Sequence, residues 1–295
     1  MGKFMFKRLC LIGLGLIGSS LARAVKDAHR LAETVVACDK SGHVRSRVEA
    51  LGIADEVYAS PAEAVRGADL IIICVPVGAY AGVAEAIQHD LTPGAIISDV
   101  GSVKQSIINQ VSPFLPEGVH LIPGHPVAGT EHSGPDAGFA DLFQNRWCIV
   151  TPLPGADETA VAKVQGFWER IGSKVEMMDP QHHDMVLAIT SHLPHLIAYT
   201  IVGTATDLAG SLQQEVIKYS AGGFRDFTRI AASDPIMWRD VFLNNKEAVL
   251  EMLQRFNEDL TALQRAIRWG DGQKLEELFT RTRAVRRGII EAKQA

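Results

Sequence analysis

The feature that most constrains the fold of this 295-residue sequence is a run of three spaced glycines near its start. Gly13, Gly15 and Gly18 follow an apolar run that begins at Leu9, and a stretch with apolar residues at helical spacing comes after them. In a strand, turn and helix of this kind, the first glycine permits a tight turn and the second lets a phosphate approach the backbone. The third lets the helix pack closely on the strand. The unit predicts a phosphate-binding site at the positive end of the first helix.

Short apolar runs alternate with helix-like stretches over the first half of the chain. The runs are too short for buried helices, and most are bounded by Gly, Pro or Asp, which favours strands. The predicted strands are 9–13, 35–38, 70–75, 95–98, 120–122, 147–150 and 175–178, and the predicted helices are 16–26, 43–51, 81–88, 103–111 and 158–171. This alternation predicts βαβ units, and hence a parallel sheet covered by helices on both faces.

The pattern changes past about residue 179, where no further strand is predicted. Three helices are predicted there, at 186–208, 247–269 and 275–290, and the first is expected to be buried. The fold class is therefore α/β: a Rossmann-type doubly wound sheet over residues 1–179, followed by an all-helical domain over residues 180–295. We expect part of the apolar surface of the helical domain to pack against a second subunit, which makes the protein a homodimer through this domain.

Composition and charge exclude several classes of partner. The chain has 29 Lys and Arg against 34 Asp and Glu, which gives a net charge of -5. It therefore lacks the positive field expected of a protein that binds nucleic acid or an anionic membrane. The apolar run behind the basic N-terminus is interrupted by glycines and is shorter than the ~20 residues that span a bilayer, so we expect a cytoplasmic protein. The cysteines lie in short apolar runs without a CxxC pair and are expected to be buried free thiols: Cys10, Cys38, Cys74 and Cys148.

The end of the second predicted strand indicates which dinucleotide the glycine turn binds. Asp39 lies 26 residues after Gly13, close to the ~20 expected for an acid that binds ribose hydroxyls. A carboxylate there repels a 2′-phosphate, so NAD is expected in preference to NADP, and the nearby Lys40 and Arg45 would soften that preference. The predicted cofactor-binding residues are Gly13, Gly15, Leu16, Ile17, Gly18, Asp39, Val75 and Pro76.

Four further segments carry side chains suited to catalysis: 99–104, 124–131, 191–195 and 222–229. Ligands in an open α/β sheet lie outside the carboxyl ends of the strands, so Ser102 and His125 are expected to converge beside the nicotinamide. This set of segments resembles the prephenate/arogenate (cyclohexadienyl) dehydrogenase family of tyrosine biosynthesis. The motifs GHPxAG, SHLPH and DFTRIA carry the resemblance, which covers nearly the whole chain. No chorismate mutase segment or C-terminal regulatory domain is expected.

The resemblance implies an NAD-dependent oxidative decarboxylation. His125 is the implied base, which removes the C4 hydroxyl proton of the cyclohexadienyl ring as hydride leaves C4, and Ser102 hydrogen-bonds to the same hydroxyl. An imidazole with an ordinary pKa of ~6.5 suits this role near neutral pH. The new C4 ketone is conjugated to C1, so CO2 departs and the ring becomes aromatic. Prephenate would give 4-hydroxyphenylpyruvate and arogenate would give tyrosine, and the sequence does not decide between them.

The resemblance also implies a substrate-binding set in the helical domain. Arg229 would bind the ring carboxylate, for which a planar guanidinium is well shaped, and His195 would line the same pocket. Less direct roles are expected for Asp226 beside Arg229 and for Trp238 in closing the pocket from this or the second subunit. Thr130 and Glu131 are expected to face the substrate side chain, and a dimer contact is the alternative for Glu131. The alternative to substrate binding is that Arg229 forms ion pairs with acidic side chains on a solvated helix.

Two other functions compete with this interpretation. A β-hydroxyacid dehydrogenase or imine reductase shares the two-domain organisation but uses a lysine of the helical domain, and neither Lys218 nor Lys246 lies in a matching motif. A non-catalytic NAD sensor would not need the four residues Ser102, His125, His195 and Arg229 together. No metal is expected, because His182 and His183 are adjacent and point apart, and no HExxH spacing occurs.

Overall fold

A six-stranded parallel sheet forms the core of the first part of the chain. The computed structural model describes residues 4–130, 132–207, 215 and 218–291. The strands are β1 (Phe6–Ile12), β2 (Ala32–Cys38), β3 (Glu56–Tyr58), β4 (Leu70–Ile73), β5 (Ile96–Asp99) and β6 (His120–Leu121), in the order β3-β2-β1-β4-β5-β6. All neighbouring pairs are parallel. The order reverses between β1 and β4, which makes this a doubly wound sheet and confirms the predicted fold class.

Helices cover both faces of the sheet. They are α1 (Leu16–Arg23), α2 (Gly42–Leu51), α3 (Pro61–Ala64), α4 (Tyr80–Ile87) and α5 (Lys104–Val111). Alternate residues of β1 point to opposite faces, so Leu9 and Leu11 join one apolar cluster while Cys10 and Ile12 join the other. Both faces are therefore apolar, which explains the continuous apolar runs of the central strands.

A second, three-stranded sheet follows and was not predicted. Its strands are β7 (Gly124–Pro126), β8 (Trp147–Val150) and β9 (Lys174–Met177), with β7 antiparallel to β8 and β8 parallel to β9; α6 (Glu158–Arg170) lies between β8 and β9. The prediction that β8 and β9 belong to the parallel sheet was wrong. β7 escaped prediction because it is three residues long and contains a glycine and a proline, which normally argue against a strand.

The second half of the chain is helical, as predicted. Its helices are α7 (Pro180–Leu187), α8 (Leu193–Thr206), α9 (Gly222–Thr228), α10 (Pro235–Asn244), α11 (Lys246–Trp269) and α12 (Gly272–Glu291). Residues Met1–Lys246 form one compact unit and Glu247–Ala295 form another. Gly270, at φ +68°, ends α11 as the sequence predicted.

The stretch Pro180–Thr206 differs from its prediction in two ways. It begins earlier, at α7, because the Asp179 side chain accepts hydrogen bonds from the backbone N–H groups of Gln181 and His182. It is also largely exposed: its most apolar window has a mean hydropathy of 1.5 and is 28% buried. By length and composition the stretch could cross a membrane. However, Asp184 and His192 within it are buried in polar contacts, as expected of a helix that belongs to the core.

Candidate active site

Backbone geometry explains two of the three glycines that follow β1. Gly13 has φ +97°, and a Cβ there would lie 2.8 Å from Val75 Cγ1 and 2.9 Å from the carbonyl carbon of Cys74. A Cβ on Gly18 would overlap the carbonyl oxygen of Gly13, so α1 packs on the turn only without a side chain at this position. Gly15 is exposed, and beyond its chain neighbours no atom lies within 4 Å of the place its Cβ would take. The turn therefore leaves the backbone open to a ligand at the start of α1.

The first turn of α1 is suited to bind an anion. Its N-cap is Gly15, no side chain caps the helix, and the turn contains no acidic residue. Its N–H groups therefore point outward without a side-chain partner, beside the half-buried Leu16 and Ile17. The hydroxyls of Ser19 and Ser20 are not extra phosphate donors, because both are buried and donate to the carbonyl oxygen of Leu16, at 3.2 and 2.7 Å.

Asp39 connects the end of β2 to the glycine turn. Its Oδ2 accepts a hydrogen bond from Leu14 N at 2.9 Å, and its Oδ1 accepts one from Ser41 N at 2.9 Å. Arg45 Nη1 donates to the backbone carbonyls of Asp39 at 2.8 Å and Lys40 at 3.0 Å. The carboxylate therefore lies where a ribose-binding acid is expected, and the neighbouring guanidinium is bound to the backbone.

The predicted cofactor-binding residues all lie at the carboxyl edge of the sheet. Residues 13–18 follow β1, Asp39 follows β2, and Val75 and Pro76 follow β4. These three segments are neighbours because β1 pairs with both β2 and β4. The crevice where strand order reverses is where dinucleotides bind in doubly wound folds. The open glycine turn, the uncapped helix and the acid together fit NAD.

His125 lies in β7, not in a loop after a strand as the sequence suggested. It is buried, and its Nδ1 lies 2.8 Å from His183 Nε2. The two rings meet edge to face, with centroids 5.1 Å apart. Antiparallel pairing with Ile149 of β8 sets the direction of the His125 side chain. The imidazole therefore has a fixed position in a site that water does not freely enter.

A buried ion pair holds the backbone immediately before this histidine. Lys104 Nζ lies 2.7 and 2.6 Å from the two carboxylate oxygens of Asp99, and it also donates to the Gly124 carbonyl at 2.5 Å. Asp99 accepts further hydrogen bonds from Gly124 N at 3.1 Å, Gly101 N at 2.9 Å and the Tyr80 hydroxyl at 2.8 Å. Both charged side chains are fully buried. The pair joins the loop that carries Ser102 to the strand that carries His125.

Lys104→Met is expected to lower the free energy of unfolding by about 3–5 kcal/mol, because it leaves the Asp99 carboxylate buried without a cation. Urea denaturation followed by circular dichroism measures the change. Adding Asp99→Asn to Lys104→Met removes both charges and should recover part of the loss. A single variant as stable as the unmodified protein would contradict this role for the pair.

His183 and Asp184 are two site residues to which the sequence assigned no role. His183 Nδ1 lies 2.8 Å from Asp184 Oδ1, and both residues are buried. The Asp184 carboxylate accepts hydrogen bonds from the backbone N–H groups of Lys104, at 2.7 Å, and Gln105, at 2.9 Å, at the start of α5. The sequence signal for these two residues was the buried stripe of α7 at helical spacing, namely Pro180, His183, Asp184 and Leu187.

Among the described residues, no group of three His, Cys, Asp or Glu could hold a metal ion.

Ser102 is held on both sides in the loop before α5. Gly101 N donates to Asp99, and Val103 packs against Trp238 in a small apolar cluster. His192 faces the backbone of Ser102, and its Nδ1 lies 3.0 Å from the side-chain nitrogen of Asn245. Burial lowers the pKa of His192 to about 4, so this ring is neutral near pH 7.

His195 and Trp238 form a stacked pair within one chain. Their ring centroids are 3.6 Å apart, with an angle of 21° between the planes. His195 Nδ1 lies 2.9 Å from the Ser191 carbonyl oxygen, so this nitrogen carries the proton and Nε2 is an acceptor in the neutral ring. Trp238 therefore reaches His195 without a second subunit.

The remaining predicted substrate residues lie on exposed segments. Arg229 begins a 3-10 turn after α9. Burial is the main cause that lowers the pKa of His195, and the positive charge of Arg229 also lowers it. Asp226 is exposed and lies 3.9 Å from Arg225 Nε. Thr130 is exposed, and its hydroxyl accepts a hydrogen bond from His132 N at 3.2 Å. Glu131 lies outside the described residues.

Electrostatics favour the unprotonated form of His125. Burial lowers the pKa of its imidazole well below the ordinary value, and His183, Lys104 and His192 add to this effect. A neutral imidazole near pH 7 is a proton acceptor, so the site provides a base without first losing a proton. A dinucleotide crevice and a buried neutral imidazole together are the features of a dehydrogenase of the Rossmann class.

Family models support this class and specify the family. The model described as "Prephenate dehydrogenase, nucleotide-binding domain" matches residues 21–177, and "Prephenate dehydrogenase, dimerization domain" matches residues 179–281. The chain belongs to the prephenate dehydrogenase family. The resemblance seen in the sequence is therefore confirmed.

Individual relatives agree over nearly the full chain. A cyclohexadienyl dehydrogenase of Zymomonas mobilis is 46% identical over 282 residues, which is 96% of each chain. Prephenate dehydrogenase from Aquifex aeolicus, solved with hydroxyphenyl propionate and NAD+, superimposes with a TM-score of 0.89 at 32% identity, covering 96% of this chain and 98% of that one. Arogenate dehydrogenase from Synechocystis superimposes with a TM-score of 0.80 at 26% identity, covering 96% and 99%.

Proposed function

We propose that the chain catalyses the NAD-dependent oxidative decarboxylation of prephenate to 4-hydroxyphenylpyruvate, of L-arogenate to L-tyrosine, or of both. The observation that carries this function is the buried, neutral His125 at the edge of a dinucleotide-binding sheet. The family membership and the cyclohexadienyl dehydrogenase relative support the substrate class. Family membership also favours this function over a β-hydroxyacid dehydrogenase or imine reductase.

Each part of the cofactor site has a separate task. The open N–H groups at the start of α1 bind the pyrophosphate, and the Asp39 carboxylate accepts hydrogen bonds from the ribose hydroxyls. Val75 and Pro76 border the same crevice after β4. When bound, NAD supplies the acceptor for the hydride that leaves the substrate.

The reaction itself needs a base and a fixed ring. His125 Nε2 takes the proton of the C4 hydroxyl, to which Ser102 donates a hydrogen bond, as hydride leaves C4. The resulting ketone withdraws electrons from C1, the bond to the carboxylate breaks, and CO2 departs as the ring becomes aromatic. The burial of His125 excludes water that would otherwise compete for the proton.

Substrate binding requires cations, since the substrate is an anion and the chain carries a net charge of -5. Arg229 binds the ring carboxylate through two parallel N–H groups. Stacking on Trp238 fixes the His195 ring, which presents Nε2 to a polar group of the substrate. Asp226 braces Arg229, and Thr130 and Glu131 complete the proposed set by facing the side chain of the substrate.

An absorbance assay at 340 nm tests the function directly. Purified protein with NAD and either prephenate or arogenate is expected to form NADH with at least one of them. The ratio of kcat/KM for the two substrates then gives the preference. Absence of turnover with both would contradict the proposed function.

Asp39→Ser is expected to lower kcat/KM for NAD by roughly 10–100-fold, since it removes charge-assisted hydrogen bonds to the ribose. The same variant should gain activity with NADP, because the 2′-phosphate no longer meets a carboxylate. Glu33→Ser, at an exposed acid elsewhere on β2, is the control and should leave both values unchanged. An unaltered NAD-to-NADP ratio in Asp39→Ser would remove Asp39 from the ribose site.

We also propose a boundary between a nucleotide-binding domain, residues 1–179, and a helical domain, residues 180–295, through which the chain forms a homodimer. The match to the first family model ends at residue 177, and the match to the second, which is described as a dimerization domain, begins at residue 179. In the single chain many large apolar side chains of this half are exposed: Ile189, Ile201, Leu243, Leu250, Ile267, Trp269, Phe279 and Val285. Burial against a second copy would remove them from water.

Sedimentation equilibrium is expected to give a mass of about twice the 32.0 kDa of the chain at micromolar concentration. A mass near 32.0 kDa would contradict the homodimer. We place the protein in the cytoplasm, where its four free thiols stay reduced, and propose no nucleic-acid or membrane partner.

A further inference from the structure

A line of three buried side chains runs from the base to the start of α5. His125 Nδ1 lies 2.8 Å from His183 Nε2, and His183 Nδ1 lies 2.8 Å from Asp184 Oδ1. Asp184 ends the line, because its two oxygens accept hydrogen bonds from Lys104 N and Gln105 N. The reaction described above uses only the first of the three side chains.

Asp184 has the contacts of an ionised carboxylate, because each of its two oxygens accepts a hydrogen bond from a backbone N–H group. Burial raises the pKa of this carboxyl, and the two backbone N–H groups together with the Lys104 charge oppose that rise. The first N–H groups of a helix have no partner within the helix, and a negative charge there is favoured by the helix dipole. Asp184 therefore only accepts hydrogen bonds, and His183 must donate to it.

This direction fixes the protons on both histidines. A hydrogen bond to Asp184 requires the proton of His183 on Nδ1. Burial lowers the pKa of His183 to about 2, so this ring is neutral and its Nε2 carries only a lone pair. His125 must then donate from Nδ1, and, because it is also neutral, its Nε2 is left unprotonated.

We propose that His183 and Asp184 are positioning residues for the reaction, which hold His125 in the tautomer whose Nε2 accepts the C4 hydroxyl proton. The inference rests on the function proposed above. An O–H bond of the substrate breaks and an N–H bond forms at Nε2 of His125, while hydride passes to NAD, which is reduced to NADH. The proton on Nδ1 of His125 stays in place.

The line also stabilises the charge that this step creates. When His125 becomes a cation, its hydrogen bond from Nδ1 to His183 becomes charge-assisted and shorter. Lys104 and His192 also face the imidazole, and the Lys104 charge opposes a second cation. Asp99 neutralises Lys104, so Asp184 is the carboxylate that balances the imidazolium through His183. A carboxylate that fixes a catalytic histidine in one tautomer has the same task in serine proteases.

Two substitutions of His183 separate its two hydrogen bonds. The amide of His183→Asn approximates the position of Nδ1, so it keeps the contact with Asp184 and loses that with His125. The longer His183→Gln extends toward the position of Nε2, where its carbonyl can accept from His125. We expect the kcat of His183→Asn to fall by roughly 10²-fold or more, while both KM values stay within about threefold of those of the unmodified enzyme. His183→Gln should retain about tenfold more activity than His183→Asn.

His182→Asn is the matched control, because His182 is the preceding residue on the same helix and is exposed. Its kcat and both KM values should equal those of the unmodified enzyme. Equal kcat in His183→Asn and the control would overturn the inference. So would equal losses in His183→Asn and His183→Gln, since the restored acceptor would then have no effect.

Nitrogen-15 NMR of histidine-labelled enzyme tests the tautomer without substrate. The His125 signals, identified by their absence in His125→Asn, should show a protonated Nδ1 and a bare Nε2 near pH 7. In His183→Asn the proton should move to Nε2 in a substantial fraction of molecules. A proton on Nε2 of the unmodified enzyme would overturn the inference even if the enzyme is active. Conversely, the expected tautomer in a protein without turnover would contradict the proposed function alone.

Discussion

His125→Asn lowers kcat by roughly 10²–10⁴-fold while the KM for the substrate changes little. Asparagine is polar and smaller than histidine, so the site can still bind substrate, but it cannot accept the hydroxyl proton. The loss therefore falls on the transition state and not on the bound ground state. Steady-state kinetics at saturating NAD measure both constants, and a thermal melt shows that the variant is folded.

The pH profile of the unmodified enzyme gives an independent measurement of the same base. Because burial lowers the pKa of His125, the base stays unprotonated well below the ordinary value of ~6.5. The kcat/KM should therefore stay level as the pH falls through 6.5 and decline only in more acidic solution. A His125→Asn variant with nearly full activity, or an acidic limb centred above ~6.5, would show that another group is the base.

Arg229→Ala raises the KM for the substrate by roughly 10²-fold, with a smaller change in kcat. A guanidinium that binds a carboxylate through two charge-assisted hydrogen bonds contributes about 1.5–3 kcal/mol for each of them, and alanine removes both. Arg229→Lys should recover only part of the affinity, because an ammonium cannot form the planar pair. The KM for NAD should not change, which separates this effect from damage to the cofactor site.

Arg225→Ala is the matched control for that experiment. Arg225 lies four residues earlier, its side chain is 78% exposed, and its nearest acidic partner is 3.9 Å away. Exposed ion pairs of this kind contribute little, so the KM should stay within about twofold of the unmodified value. Equal effects of the two alanine variants would assign Arg229 to the solvated helix surface that the sequence allowed as an alternative.

The parts of the site that were predictable from sequence depend on local patterns. The strand, glycine turn and helix at residues 6–23 are consecutive in the chain, and a Cβ at Gly13 or Gly18 would come too close to neighbouring backbone atoms. Asp39 was predictable for the same reason, because a parallel strand ends just before it. The family motifs then pointed to His125 and Arg229, which lie too far apart in the chain for a local sequence pattern to relate them.

The parts that were missed depend on long-range contacts. His183 and Asp184 meet His125 and the start of α5 across 58 and 80 residues of sequence. Adjacent histidines on a helix point apart, and His182 is indeed exposed while His183 is buried. The direction of the buried His183 ring was not predicted. The stripe of buried positions along α7 would have answered that, since two polar residues lie on its inner face.

The carboxylate of Asp99 has a consequence for protein engineering. It binds Gly124 N, while its partner Lys104 binds Gly124 O, so the backbone before His125 depends on two residues from another part of the chain. Randomised libraries over residues 126–130 leave this anchor intact. Grafting residues 124–129 alone onto a different scaffold would leave the same backbone groups without donors or acceptors. A transplant of His125 must therefore include the 99–104 segment.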